Sequence, residues 1–134
     1  MCYLLGNSEW PVRFTYRGNM IIVVSNSRLK KAVEDAAVAQ KQLGPDMAKK
    51  LFLRLAALRA AASLADFWPP KTPPERCHEL QGVDLGTFTV DLKQPYRLKF
   101  APVEEELPQD RSNEQQRWSL ITKINLLSIE DTHE

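Results

Sequence analysis

Two histidines, two arginines, a lysine and a terminal aspartate are the residues of this chain whose types and spacing could do chemistry. His78 lies in "RCHEL" (76–80), Arg97 and Lys99 lie in "YRLKF" (96–100), and Asp131 and His133 close the chain in "SIEDTHE". In an extended segment alternate residues share a face. Arg76 and His78 then share one parity, Arg97 and Lys99 another, and Asp131 and His133 a third. If the three segments neighbour one another, two imidazoles, a carboxylate and several cations would line one concavity. Such a set suits cleavage of RNA by attack of its own 2′-hydroxyl on the adjacent phosphorus. That reaction needs a base for the hydroxyl, an acid for the departing 5′-oxygen, and cations for the charge on the phosphoryl oxygens. Imidazoles titrate near neutrality and suit the first two tasks. Arginine grips phosphate through paired hydrogen bonds. A carboxylate two residues from His133 would fix that ring's orientation. Because the nucleophile belongs to the substrate, no metal or other cofactor is expected.

The elements that would position these groups follow from periodicity. "MIIVV" (20–24) is a β-branched run and predicts a buried strand. Ser27 is the expected N-cap of a helix carrying Leu29, Ala32, Val33, Ala36 and Leu43, which Gly44 stops. Pro45 opens a second helix with an apolar stripe at Met47, Leu51, Leu55, Leu58, Ala62 and Ala65. Lys49, Lys50, Arg54 and Arg59 are expected on its basic outer surface. The break at Gly44 and Pro45 is short, so an αα-hairpin is predicted. "WPPKTPPE" (68–75) predicts a stiff, extended connector, because its prolines forbid helix and central strand alike.

Past the connector the period becomes two. "GTFTVDL" (86–92) and "YRLKF" (96–100) predict a β-hairpin, with Phe88, Val90 and Leu92 on one face of the first strand and Tyr96, Leu98 and Phe100 on one face of the second. Residues 102–116 are expected to be an acidic loop. "WSLITKINLLSIED" (118–131) predicts a long final strand, central in the sheet because it is apolar at positions on both faces. The expected fold class is α+β: an αα-hairpin packed on one face of a mostly antiparallel, curved sheet, with the other face open.

Bulk composition agrees with a single globular domain over 20–134, preceded by an extension (1–19) that is disordered or adds an edge strand. The chain has 134 residues, 43% of them hydrophobic, and a net charge of +1. That near-neutrality hides an asymmetry. Residues 20–101 carry 13 Lys/Arg against 8 Asp/Glu, whereas residues 102–116 carry 5 acids and one arginine. Two cysteines, Cys2 and Cys77, give neither a zinc pattern nor a disulfide framework, and they suit a reducing cytoplasm. No apolar run is long enough for a membrane span. Walker and dinucleotide-binding glycine motifs are lacking.

From Met20 to His133 the chain resembles the HigB-like plasmid-maintenance killer proteins, toxins of the RelE/ParE superfamily. The resemblance is carried by "SRLKKAVED", "GPDMAKKLFLRLAALRAAASLADF", "RCHELQG", "GTFTVDLKQPYRLKFAP" and the terminal "IEDTH", in that order and spacing. It implies a RelE-like fold and a cytoplasmic toxin of a type II toxin–antitoxin pair. It implies a metal-independent, ribosome-dependent mRNA endonuclease, an mRNA interferase that inhibits translation. The implied partners are a helix-turn-helix antitoxin, mRNA and the ribosome, with operator DNA reached only through the antitoxin and no membrane. By motif, the catalytic set falls on His78, Arg97, Asp131 and His133, and RNA binding on Arg76, Lys99 and Thr132. Thr132 stands where a tyrosine is frequent in the family, and Gln81 where a lysine is. The ParE branch implies a different activity, non-catalytic poisoning of DNA gyrase. A third implied state is a decayed toxin that only binds its antitoxin.

Overall fold

The computed structural model describes residues 19–103 and 111–131. Most of the 1–19 extension, the centre of the acidic segment, and both Thr132 and His133 lie outside the described residues. Five strands form one sheet in the order β1-β5-β4-β3-β2. These are β1 (Ile21–Val24), β2 (His78–Glu79), β3 (Phe88–Asp91), β4 (Tyr96–Pro102) and β5 (Lys123–Asp131). Pairing is antiparallel except between β1 and β5, which run parallel. The fold is therefore α+β with a mixed sheet, and the final strand is internal, paired with β1 on one side and β4 on the other, while β4 is the middle strand.

The helices pack on one face. Leu29, Val33, Leu51, Leu55 and Leu58 form a single core with Ile22, Phe88, Val90, Leu98, Phe100 and Ile124. The first helix is not continuous. It is split into α1 (Ser27–Glu34) and α2 (Ala36–Leu43) by Asp35, whose extended backbone (φ −145°, ψ 112°) starts a new helix and whose carboxylate accepts from the Ala37 N–H at 2.9 Å. Aspartate satisfies a helix N-terminus better than it fills a helix interior, so a second cap overrides the period. The N-cap of α1 is Asn26 rather than Ser27. Its side-chain oxygen accepts from Leu29 N–H at 3.1 Å, and its amide nitrogen donates to the Leu127 carbonyl at 3.1 Å. One side chain thus starts the helix and ties it to β5.

Gly44 (φ 87°) ends α2 and Pro45 opens α3 (Pro45–Ala60). The left-handed backbone at Gly44 is accessible to glycine at little cost, which lets the chain reverse within one residue. Small residues, Ala32, Ala39 and Ala48, allow the three helices to meet closely beside Phe52. α3 ends earlier than the apolar stripe suggested: Ala62 is exposed, and Leu64–Phe67 form a separate turn of 3₁₀ helix. Arg54 is not on the outer surface. It is 7% exposed, and its Nε donates to the Asp91 carbonyl at 2.7 Å.

Two further expectations change. The proline segment is folded into turns rather than extended: Lys71 N–H bonds the Cys77 carbonyl at 2.9 Å and Arg76 N–H the Thr72 carbonyl at 2.8 Å. The acidic segment is not all loop, because α4 (Glu114–Ser119) forms its end, capped by Asn113. Trp118 consequently sits in α4, buried edge-on to Trp68 and Phe88, and not in the last strand. The predicted hairpin is present, with Leu92 N–H bonded to the Tyr96 carbonyl at 3.0 Å. Among the described residues no helix is long and apolar enough to cross a membrane.

Cys77 is buried in the core, and burial, reinforced by the nearby Glu75 carboxylate, pushes its thiol far above the usual range. Thiolate is the form that alkylates. In a Cys2→Ser background, native protein at pH 8.5 should resist iodoacetamide, and urea-unfolded protein should react fully. Mass spectrometry of the labelled chain checks this.

Candidate functional site

Register decides which side chains share the face without helices. Residues directly opposite in paired strands project from the same side of a sheet. His78 pairs with Thr89, Thr89 with Lys99, and Lys99 with Ser128. One step along, Asp91 pairs with Arg97 and Arg97 with Glu130. Phe88, Val90, Leu98 and Phe100 occupy the opposite parity and are fully buried under the helices. The face opposite these apolar residues therefore carries two polar rows, His78–Thr89–Lys99–Ser128 and Asp91–Arg97–Glu130, in which His78, Thr89 and Asp91 are themselves buried. His78 and Lys99 are two strands apart, about 10 Å at the backbone.

His78 is only 4% exposed. Its Nδ1 lies 3.0 Å from the Arg76 carbonyl. A carbonyl only accepts, so Nδ1 carries the proton and Nε2 of the neutral ring keeps its lone pair. Among the described residues Nε2 has no hydrogen-bond partner. A buried acceptor in that state is costly to leave alone, and it is the ring atom that would take a proton from a substrate hydroxyl. His78 borders a cleft of about 550 Å³ at the β2 edge, shared with Lys71, Gln81, Arg111 and Trp118.

Arg97 stands on the same face as His78, but its guanidinium is committed. Its Nε is 3.3 Å from Asp91 Oδ1, with 11% of the Arg97 side chain exposed and 6% of the Asp91 side chain. This distance is an ion pair without the alignment of a hydrogen bond. Arg76, whose backbone is left-handed at φ 50°, reaches the other oxygen of Asp91 at 3.2 Å. Gln94 Nε2 donates to that oxygen at 2.8 Å. Lys99 is paired with Asp84 at 3.3 Å and with Glu130 at 3.7 Å. Each cation expected to bind RNA on this face thus has a carboxylate of the chain beside it. The face is polar and charge-balanced, because the cations expected to line it are each beside a carboxylate.

Asp131 is placed elsewhere. A bulge shifts the β4–β5 register: Lys99 is opposite Ser128, but Phe100 is opposite Leu126, so Leu127 is the extra residue. Before the bulge, Ile124 and Leu126 face the core. After it, Ile129 does, opposite Leu98, and Asp131 follows the same parity opposite Tyr96. Asp131 is therefore on the helix side of the sheet, across from Arg97 rather than beside it. Near it a groove of about 470 Å³ runs between α1, α2 and the β4–β5 end, lined by Arg28, Leu43, Met47, Tyr96 and Ile129. Thr132 and His133 lie outside the described residues.

Two acidic residues the sequence did not single out organise the site. Asp91 holds Arg76 and Arg97. Glu79 accepts from Arg111 at 2.9 Å, from Arg117 at 3.4 Å, and from the Gly86 N–H at 2.8 Å. Asp91 carried a legible signal: it faces Arg97 across a hairpin whose register the alternation already implied. Among the described residues no group of three or more His, Cys, Asp or Glu side chains is gathered for a metal ion. No family model, no curated protein and no solved structure matches the chain.

Glu79 and Arg117 are both nearly buried, with 7% and 8% of their side chains exposed. Removing one partner of such a pair strands the other charge. Glu79→Ala should cost about 3 kcal/mol of folding stability, whereas Arg111→Ala at the exposed end of the network should cost under about 1 kcal/mol. Urea denaturation of the two variants checks the difference.

Proposed function

We propose that this chain is the toxin of a type II toxin–antitoxin pair and acts as a ribosome-dependent mRNA endonuclease. The observation that carries this reading is the placement of His78, Arg97 and Lys99 on the sheet face opposite the one packed by α1 and α3, with His78 Nε2 unpartnered among the described residues. Nε2 is the base for the 2′-hydroxyl, and Arg97 and Lys99 offset charge on the phosphoryl oxygens. The pentacoordinate phosphorus then expels the 5′-oxygen, which takes a proton from an acid. His133 is assigned that role on the sequence alone, with Asp131 and Thr132 as its neighbours in the motif. Arg76 is assigned to RNA binding. The α+β fold, with helices packed on one face of a mixed sheet, is compatible with this reading. The partner is a helix-turn-helix antitoxin, the compartment is the cytoplasm, and operator DNA is contacted only through the antitoxin.

A second reading draws on a specific observation. The cations of the open face are already paired with Asp84, Asp91 and Glu130, and Asp131 lies across the sheet from Arg97. A charge-balanced face suits protein contact better than phosphate binding, which favours non-catalytic poisoning of a protein such as gyrase.

Induction of the chain without an antitoxin should arrest growth and produce new RNA 5′ ends on translated messages. His78→Ala and Arg97→Ala should each reduce cleavage about 100-fold or more. Mapping of cellular RNA ends beside these variants checks this. Arrest with intact RNA and cleaved DNA–gyrase complexes would select the second reading.

A further inference from the structure

The Asp91 carboxylate occupies a place built for an anion. Its two oxygens receive Arg76 Nη1 at 3.2 Å, Gln94 Nε2 at 2.8 Å and, as an ion pair, Arg97 Nε at 3.3 Å. The surrounding backbone fixes it there. Asp91 N–H donates to the Glu75 carbonyl at 2.8 Å, and the Asp91 carbonyl accepts from Arg54. Donors converging on two oxygens of one anion is also the arrangement by which guanidinium groups hold the non-bridging oxygens of a phosphodiester. Arg76 reinforces the point. A non-glycine residue at φ 50° carries a conformational cost, and here that conformation accompanies a guanidinium on this carboxylate.

We infer that Arg76, Gln94 and Arg97 form a phosphate seat that the chain fills with its own Asp91 carboxylate, so that Asp91 sets how strongly this face holds RNA. Free RNA must displace a tethered carboxylate whose effective concentration is high, and its own charge is repelled by that group. Replacing the Asp91 carboxylate by a neutral group opens the seat. The inference rests on the proposed RNA reading only for the choice of RNA as the anion. The seat itself follows from the three donors and the buried acid.

The test uses the full chain and a fluorescent single-stranded 2′-O-methyl RNA. That probe lacks the 2′-hydroxyl nucleophile, so binding is measured apart from cleavage. Asp91→Asn keeps the side-chain shape and the capacity to accept from Gln94. It should bind the probe about tenfold tighter at low salt, corresponding to removal of one nearby like charge. Its affinity should also fall more steeply with salt, by about one unit of log–log slope for the phosphate gained. The double variant Asp91→Asn/Arg97→Ala should lose the gain. Arg97→Ala should weaken probe binding less in the natural chain than in the Asp91→Asn background, because in the natural chain its guanidinium is already held by the Asp91 carboxylate.

A folded Asp91→Asn protein with unchanged affinity would overturn the inference, and so would a gain that survives Arg97→Ala. Should Asp91→Asn fail to fold, Asp91→Ser, whose neutral hydroxyl can still accept from Gln94, is read by the same comparison, and unchanged probe affinity there would likewise overturn the inference. The two readings separate cleanly. Tighter probe binding without any RNA cleavage by the natural chain retains the seat and removes the nuclease. Cleavage with no response to Asp91→Asn does the reverse.

Discussion

A single buried carboxylate constrains the middle of this molecule. A charge taken out of water is tolerable only when partners surround it, and breaking such a set costs several kcal/mol. Asp91 is therefore not free to move without Arg76, Gln94 and Arg97 moving too. Its backbone is held just as firmly, by the Glu75 carbonyl on one side and the Arg54 side chain on the other. Four parts of the chain meet at this residue: the turn-rich proline segment, helix α3, and the two strands of the β3–β4 hairpin. The left-handed backbone of Arg76 and the course of the turn at Gln94 both accompany satisfaction of this one acid.

The same constraint shapes the chemistry of the open face. A hairpin that places Asp91 opposite Arg97 cannot also offer Arg97 as an uncommitted cation. Lys99 repeats the arrangement with Asp84 and Glu130. His78 is the exception, because its Nδ1 is used by the Arg76 carbonyl and its Nε2 is left without a partner among the described residues. The imidazole is thus poised by burial and tautomer, while the cations are held by ion pairs. Chemistry on this face requires a substrate that competes for those pairs.

How much of this was legible in the sequence depends on the length scale of the interaction. The hairpin alternation of Phe88, Val90, Leu92 and Tyr96, Leu98, Phe100 was plain because two strands share a short turn. The Gly44–Pro45 reversal was plain because both residues have a backbone reason to be there. The elbow at Asp35 was hidden, since its one-residue interruption leaves the apolar period almost intact. Arg54 was misplaced on the outer surface although it stands at position i+3 from Leu51 and i−4 from Leu58, inside the buried stripe. The bulge at Leu127 had the largest effect. Slipping one residue turns every later side chain over, and Asp131 went with it to the helix side. Apolar residues on both parities of β5 therefore recorded a register shift as well as a central position. The helical end of the acidic segment is hidden in the sequence because Trp118 also fits the alternation of a strand, whereas its ring packs edge-on against Trp68 and Phe88 from α4.

The parallel pairing of β1 with β5 also dictates when the molecule can finish assembling. Ser25 N–H meets the Asn125 side chain at 3.1 Å, and Asn26 reaches the Leu127 carbonyl, between residues 100 and 101 positions apart in the sequence. Among the described residues, the sheet partner of β1 lies about 100 positions further along the chain. During synthesis the β1–β5 pairing must wait until the whole intervening stretch of chain has been made. Sheet closure is then a late, long-range event, slow by topology and exposed to capture by chaperones or by other nascent chains.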